Sequence, residues 1–291
     1  MNNFRITDVR ALPGDSAFLI DNGKTAILYD TGFAFTGYKV LERIKTALRD
    51  RQLDYIFLTH SHYDHALGSA YIKDYYKNAK VVASTYAEKI FKKNSAKAVM
   101  RYLDKKFAIK NGIKEYEDLI DNLGVDIAVN DGDIVNTGSL SFKVIGLPGH
   151  TRCSIGFYCE KEKLLLGSET IGVFNGSDDV VPSFLVGYKM TLSSIEKVKT
   201  LDIDKILLPH YGLIDREKTE LYLKKAKESA ISTAESISSM LKSGHTKEEC
   251  LQYVKDRFYH GYIKTIYPID AMELNTSIMI ELIEKELCNE K

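Results

Sequence analysis

The chain has no excess charge of either sign: 40 Lys and Arg stand against 40 Asp and Glu, for a net charge of zero. That balance gives no global attraction to nucleic acid, and no nucleic-acid partner is expected. No apolar run approaches the length of a membrane span, so no membrane partner is expected. The opening residues, Met1 to Arg5, carry no apolar signal core. Cysteine is scarce: Cys153, Cys159, Cys250 and Cys288 are scattered and form no CxxC pair. Small hydrophobes in a reduced, cytoplasmic protein are the expectation, with Cys153 also a candidate to line a site because it lies three residues from His150. Histidine is scarce as well, at seven in 291 residues, yet three of the seven fall within six positions.

Those three lie in Thr59-His60-Ser61-His62-Tyr63-Asp64-His65. The apolar run Tyr55-Ile56-Phe57-Leu58 before the cluster is of strand type, and Ala66-Leu67-Gly68 after it opens a helix. In extended chain, side chains two apart point the same way, so His60 and His62 reach one point together. As the chain turns into the helix, Asp64 and His65 face a second point nearby. Taken alone, Asp64 reads as a helix N-cap, the commoner role for an Asp at such a boundary. Neutral imidazole and carboxylate suit zinc, manganese and iron. Packing does not explain three imidazoles in six residues, and a metal site does.

Ahead of the cluster, residues 4–31 read as two or three strands, with an Asn22-Gly23 hairpin turn. The last ends at Asp30-Thr31-Gly32, where the carboxylate is either a turn device or a group that fixes a ligand. Residues 37–49 read as an amphipathic helix through Val40, Leu41, Ile44 and Leu48. Residues 66–78 are helical and 81–83 a short strand. Residues 85–122 break this rhythm with expected helices over 86–93, 96–107 and 114–122, as a lid or as a helical layer on the sheet. Strands return around 125–129, 141–147, 154–158, 163–166 and 205–208, with a helix over 190–200.

His60, His150, Glu169 and His210 each follow directly on an apolar strand. Strand-end loops along one edge of a sheet sandwich would bring them together. His245 and His260 read as surface or packing residues. From Asp215 onward the chain reads as helical: one long helix to about Lys242 closed by Gly244, a second opened by the Thr246–Glu249 capping box, and a third from Pro268 to Leu287.

His60, His62, Asp64 and His65 form an HxHxDH motif. With His150 in PGHT, Glu169 after a strand, His210 in PHYG and the DTG at Asp30, it resembles the metallo-β-lactamase superfamily over roughly residues 10–213. The resemblance implies an α/β fold, an αββα sandwich over residues 1–213, here with a helical insertion and a helical C-terminal extension over 214–291. It implies two divalent ions, zinc first, with iron or manganese open. His60, His62 and His150 would hold one ion, and Asp64, His65 and His210 the other. Glu169 stands where the family usually has a bridging Asp; being one methylene longer, it would bridge, bind one ion only, or leave the second site partly empty.

Such a pair would share a hydroxide that attacks a small ester, thioester or lactone, with Asp64 orienting it as the catalytic carboxylate. In general layout the helical tail is similar to glyoxalase II-like and thioesterase-like members. Tyr63, Arg152 and Tyr211 flank the ligands and would contact substrate or simply pack. Alternatives are a metal-containing binding or regulatory protein with little turnover and, further off, a diiron oxidoreductase or a nuclease. The expected partner is a small-molecule substrate, with a homodimer through the helical extension open.

Overall fold

The computed structural model describes residues 4–288. The chain divides into two compact units, Met1–Gly146 with Ile155–Leu166, and Leu147–Ser154 with Gly167–Lys291.

The first unit is built on six strands: β1 (Arg5–Asp8), β2 (Phe18–Asp21), β3 (Ala26–Tyr29), β4 (Tyr55–Phe57), β5 (Lys80–Ser84) and β6 (Ile127–Val129). They lie in the sheet in chain order. β1 to β3 are antiparallel, and their second turn is the expected Asn22-Gly23 hairpin, with Gly23 at φ +81°. From β3 to β6 the pairing is parallel. Parallel strands need crossovers, and helices supply them. These are α1 (Gly37–Leu48), α2 (Tyr63–Ala66), α3 (Gly68–Tyr75), α4 (Thr85–Phe91) and α5 (Asn94–Lys110). α1 buries Val40, Leu41, Ile44 and Leu48, the apolar stripe legible in its sequence.

Four further strands of this unit are antiparallel neighbours: β7 (Ile134–Asn136), β8 (Ser141–Gly146), β9 (Ile155–Cys159) and β10 (Leu164–Leu166). The two sets of strands meet face to face through aromatic rings. Phe57 of β4 stacks on Phe157 of β9 at 4.4 Å between centroids and meets Phe142 of β8 edge-on at 5.3 Å.

The helix expected over 114–122 is not formed; a short 3-10 turn covers Ile120–Asn122. α5 ends at Lys110, and Gly112 just beyond it takes φ +78°, which a side chain would resist. Beyond it tertiary bonds hold residues 113–119 outside any helix or strand. Tyr116 donates to Asp104 at 2.5 Å, Tyr71 donates to the Glu117 carbonyl, and Asp118 pairs with Arg101. Helical propensity is a few tenths of a kcal/mol per residue, and such contacts override it.

The second unit holds two small hairpins, β11 (Val173–Phe174) with β12 (Val180–Val181), and β13 (Lys205–Leu208) with β14 (Gly212–Ile214). Its helices are α6 (Tyr188–Lys199), α7 (Arg216–Lys242), α8 (Lys247–Phe258), α9 (Ile263–Ile266) and α10 (Ile269–Ile283). The Thr246–Glu249 capping box opens α8 with both reciprocal bonds made. One apolar core, including Phe184, Ala234, Ile237, Val254, Phe258 and Ile280, unites these helices with the β11–β12 hairpin. The fold class is therefore the expected one, mixed α/β with a helical C-terminal region. Among the described residues no helix is long and apolar enough to cross a membrane.

Candidate metal centre

In the first unit β4 ends at Phe57, and the chain runs through Thr59, His60 and His62 into the first turn of α2, which carries Asp64 and His65. Donor atoms of His60 and His62 lie within 4.8 Å of each other. The His60 ring is 4.6 Å from that of His62 and 4.1 Å from that of His65. Asp64 Oδ2 is 3.6 Å from His65 Nε2. His60 and His65 are buried, while His62 and Asp64 are half-buried.

Asp30 organises this loop. It sits fully buried at the end of β3 with φ +51°. Its carboxylate accepts from Thr59 N at 2.8 Å, Thr59 Oγ1 at 2.9 Å and Ser16 Oγ at 3.0 Å, and lies 2.8 Å from His65 Nδ1. A carboxylate only accepts, so the His65 proton is on Nδ1 and its Nε2 keeps a lone pair. The Thr59 hydroxyl spends its proton on Asp30; its oxygen, 3.0 Å from His60 Nδ1, therefore accepts from that ring too. One buried carboxylate thus sets two imidazole tautomers. Of the two readings the sequence left for Asp30, these bonds describe a group that orients neighbouring side chains, not a turn device.

Close backbone approach seats the helix that follows. Thr31 N and Oγ1 both donate to the His65 carbonyl at 2.8 Å. A Cβ on Gly68 would stand 2.0 Å from the Thr31 carbonyl oxygen, so only glycine lets α3 start there.

In the second unit the Pro148-Gly149-His150-Thr151 turn is locked by Gly149. Its φ is +145°, and a Cβ there would meet Thr191 Oγ1 at 2.1 Å. His150 Nδ1 lies 3.1 Å from the Ser183 carbonyl and 2.8 Å from Ser183 Oγ. The carbonyl cannot donate, so Nδ1 carries a proton, and the ring's other nitrogen is Nε2. That Nε2 is 3.0 Å from Glu169 Oε2, while Glu169 Oε1 is 3.5 Å from His210 Nε2. All three side chains are buried. His210, between β13 and β14, takes φ +61°.

His60, His62, Asp64 and His65 therefore gather in one unit, and His150, Glu169 and His210 in the other. Buried imidazoles with tautomers fixed by acceptors, beside one buried and one half-buried carboxylate, are a donor set that fits divalent cations. Cys153 is buried with Sγ 3.1 Å from Thr151 Oγ1. Tyr63 packs on Phe33 at 5.6 Å, Tyr211 packs on Phe174 at 4.7 Å, and Arg152 is exposed. His245 and His260 sit at the surface of the helical region, bonded to Glu249 and to the Arg257 carbonyl.

Sequence reasoning did not find three tyrosines. Tyr267 donates to Glu169 Oε1, and Tyr262 donates to the His210 carbonyl. Tyr222 donates to the carbonyls of Ile171 and Gly172 at 3.0 and 2.8 Å. Burial pushes the Tyr222 phenol well above its ordinary pKa, and the Glu169 charge adds to it, so it stays a donor. The one sequence signal was the run of tyrosines between Tyr259 and Tyr267 just before Pro268.

Curated relatives include hydroxyacylglutathione hydrolases of Francisella tularensis subsp. holarctica, 28% identical over 185 residues, 61% of this chain. The match spans 58% of the length of those relatives. A metallo-beta-lactamase family protein from Thermus thermophilus superposes with a TM-score of 0.60 at 18% identity, covering 92% of this chain and 88% of that one. An archaeal superfamily protein from Sulfolobus tokodaii gives 0.56 at 22%, covering 73% and 80%. These structural likenesses speak to the fold. The model of the metallo-beta-lactamase superfamily itself matches residues 13–210, and the chain belongs to that superfamily.

Proposed function

We propose that the chain is a metal-dependent hydrolase of a small ester, thioester or lactone, with its seven donors converging on two divalent cations, zinc first among the candidates. His60, His62 and His150 would hold one cation and Asp64, His65 and His210 the other, with Glu169 serving either or both. One observation carries the reading: the Nδ1 atoms of His60, His65 and His150 each face an oxygen acceptor, the arrangement by which a second group orients an imidazole that binds a cation through Nε2. The name borne by the curated relatives, hydroxyacylglutathione hydrolase, supports a thioester within the substrate class.

Bound cations would supply Lewis acidity at a carbonyl oxygen and lower the pKa of water toward about 7. The chain's own residues do the rest. Asp30, through His65 and through Thr59 to His60, keeps the rings in the tautomer that offers Nε2. Asp64, half-buried at the start of α2, orients the attacking water and takes up its proton at a carboxylate oxygen.

Elemental analysis of protein purified without added metal, followed by a panel of thioesters, esters and lactones, tests this. The expected result is close to two divalent ions per chain, turnover of at least one class, and loss of both metal and turnover in His60→Ala. Turnover surviving His60→Ala would overturn it. Metal retained with no turnover across the panel would favour a binding protein.

A further inference from the structure

Glu169 raises a problem of its own. Its carboxylate ends three rotatable bonds, one more than an aspartate has, and each torsion left free must be frozen before the group can hold a cation. Within the second unit the freezing is visible. Oε2 is turned to His150 Nε2 at 3.0 Å, and Oε1 lies toward His210 Nε2 at 3.5 Å and accepts the Tyr267 hydroxyl. The Tyr267 ring stands 5.8 Å from that of His210.

The backbone fixes the delivery of that phenol. Tyr267 closes α9 in extended conformation, φ −111° and ψ 123°, the region that the following Pro268 favours. Its N–H donates to the Ile263 carbonyl at 3.0 Å, and its own carbonyl accepts from Tyr259 Oη at 3.1 Å. Five residues earlier, Tyr262 donates to the carbonyl of His210, the residue held at positive φ. Two phenols from one segment of the helical extension thus reach two of the unit's three candidate ligands.

We infer that Tyr267 is the positioning residue of Glu169. It restrains the last torsion of the long acid so that Oε2 stays with His150 and Oε1 with His210. The inference rests on the metal reading above. A carboxylate oxygen has two lone pairs, so Oε1 can accept the phenol and still face a cation. Tyr267 acts only through Glu169. The helical extension is thereby part of the metal centre's support as well as of the core beneath it.

A double-substitution cycle on the full chain tests this, with zinc titrated against a chromophoric chelator for the native protein, Tyr267→Phe, Glu169→Asp and the pair. Tyr267→Phe is expected to weaken zinc binding by about 10- to 100-fold, the usual cost of removing a partner of a ligand. In the Glu169→Asp background the carboxylate is withdrawn by about 1.5 Å, one carbon–carbon bond. It leaves the phenol's reach, so Tyr267→Phe should then change affinity by no more than about twofold. Unchanged binding in Tyr267→Phe overturns the inference. An equal loss in both backgrounds does so too, because the phenol would then act on the fold and not on Glu169. Native protein that binds no zinc, or a His150→Ala variant that binds it as tightly as native, shows instead that the metal reading has failed, and the inference falls with it.

Discussion

Asp30 concentrates more consequence in one side chain than any candidate ligand does. It accepts from Thr59 twice and from Ser16, and it orients His65 directly and His60 through a hydroxyl. Asp30→Asn keeps the volume but brings two N–H donors to a place that needs an acceptor on both oxygens. The His65 ring must then rotate or change tautomer. Zinc affinity should fall by about 10- to 100-fold, read by the same chelator competition, and the donors left unsatisfied should lower stability by about 1–3 kcal/mol, read by urea unfolding. Native affinity in Asp30→Asn would show that the tautomer relay does not matter for binding. The sequence exposed Asp30 as a strand-end carboxylate before glycine. It could not decide between turn and orienting group, because that depends on Thr59 and His65 arriving from another strand's end.

At the scale of elements, α5 illustrates what patterning hides. Asp104 precedes Lys105 and Lys106 on a helix, and nothing in that local pattern marks it for the interior. In the fold it is fully buried and accepts from Ala34 N at 2.9 Å and Tyr116 Oη at 2.5 Å. It thereby ties α5 both to the loop after β3 and to the irregular stretch where a helix was expected. Burial, opposed only in part by those bonds and helped by the charge of Asp15, pushes its pKa up to about 7. A carboxyl whose folded pKa lies above its unfolded value binds its proton more tightly when folded. Stability is therefore greatest below pH 4 for this group and declines as pH rises from about 4 to about 7, by at most about 4 kcal/mol. Asp15, also buried and also raised, works in the same direction. Asp104→Asn should flatten the decline between pH 4 and 7 when urea midpoints are compared across that range; an unchanged slope would remove Asp104 as its source. Elements with a short-range signal were legible: the Asn22-Gly23 hairpin, the α1 stripe and the capping box of α8. The stretch after Gly112 was not, because side chains of α1, α3 and α5 decide its path.

For the whole molecule, the candidate ligands reach from residue 60 to residue 210, and most were legible because each follows its own apolar strand. The phenols behind them come from beyond residue 220, in a region whose sequence says only that it is helical. A cation pair gripping such distant parts of the chain would bind the folded form and not the unfolded one. Mass action then makes stability depend on metal, by about 4 kcal/mol when free metal stands a thousandfold above its dissociation constant. For a chain of this size that corresponds to roughly 10 °C in melting temperature. Stripping with a chelator, confirmed by elemental analysis, should lower the melting temperature by about that amount, and adding back zinc in excess should restore it. His150→Ala, which removes one donor from the second unit, should melt near the stripped value with or without zinc. If fully stripped native protein melts at the same temperature as loaded protein, the proposed cation pair must be abandoned.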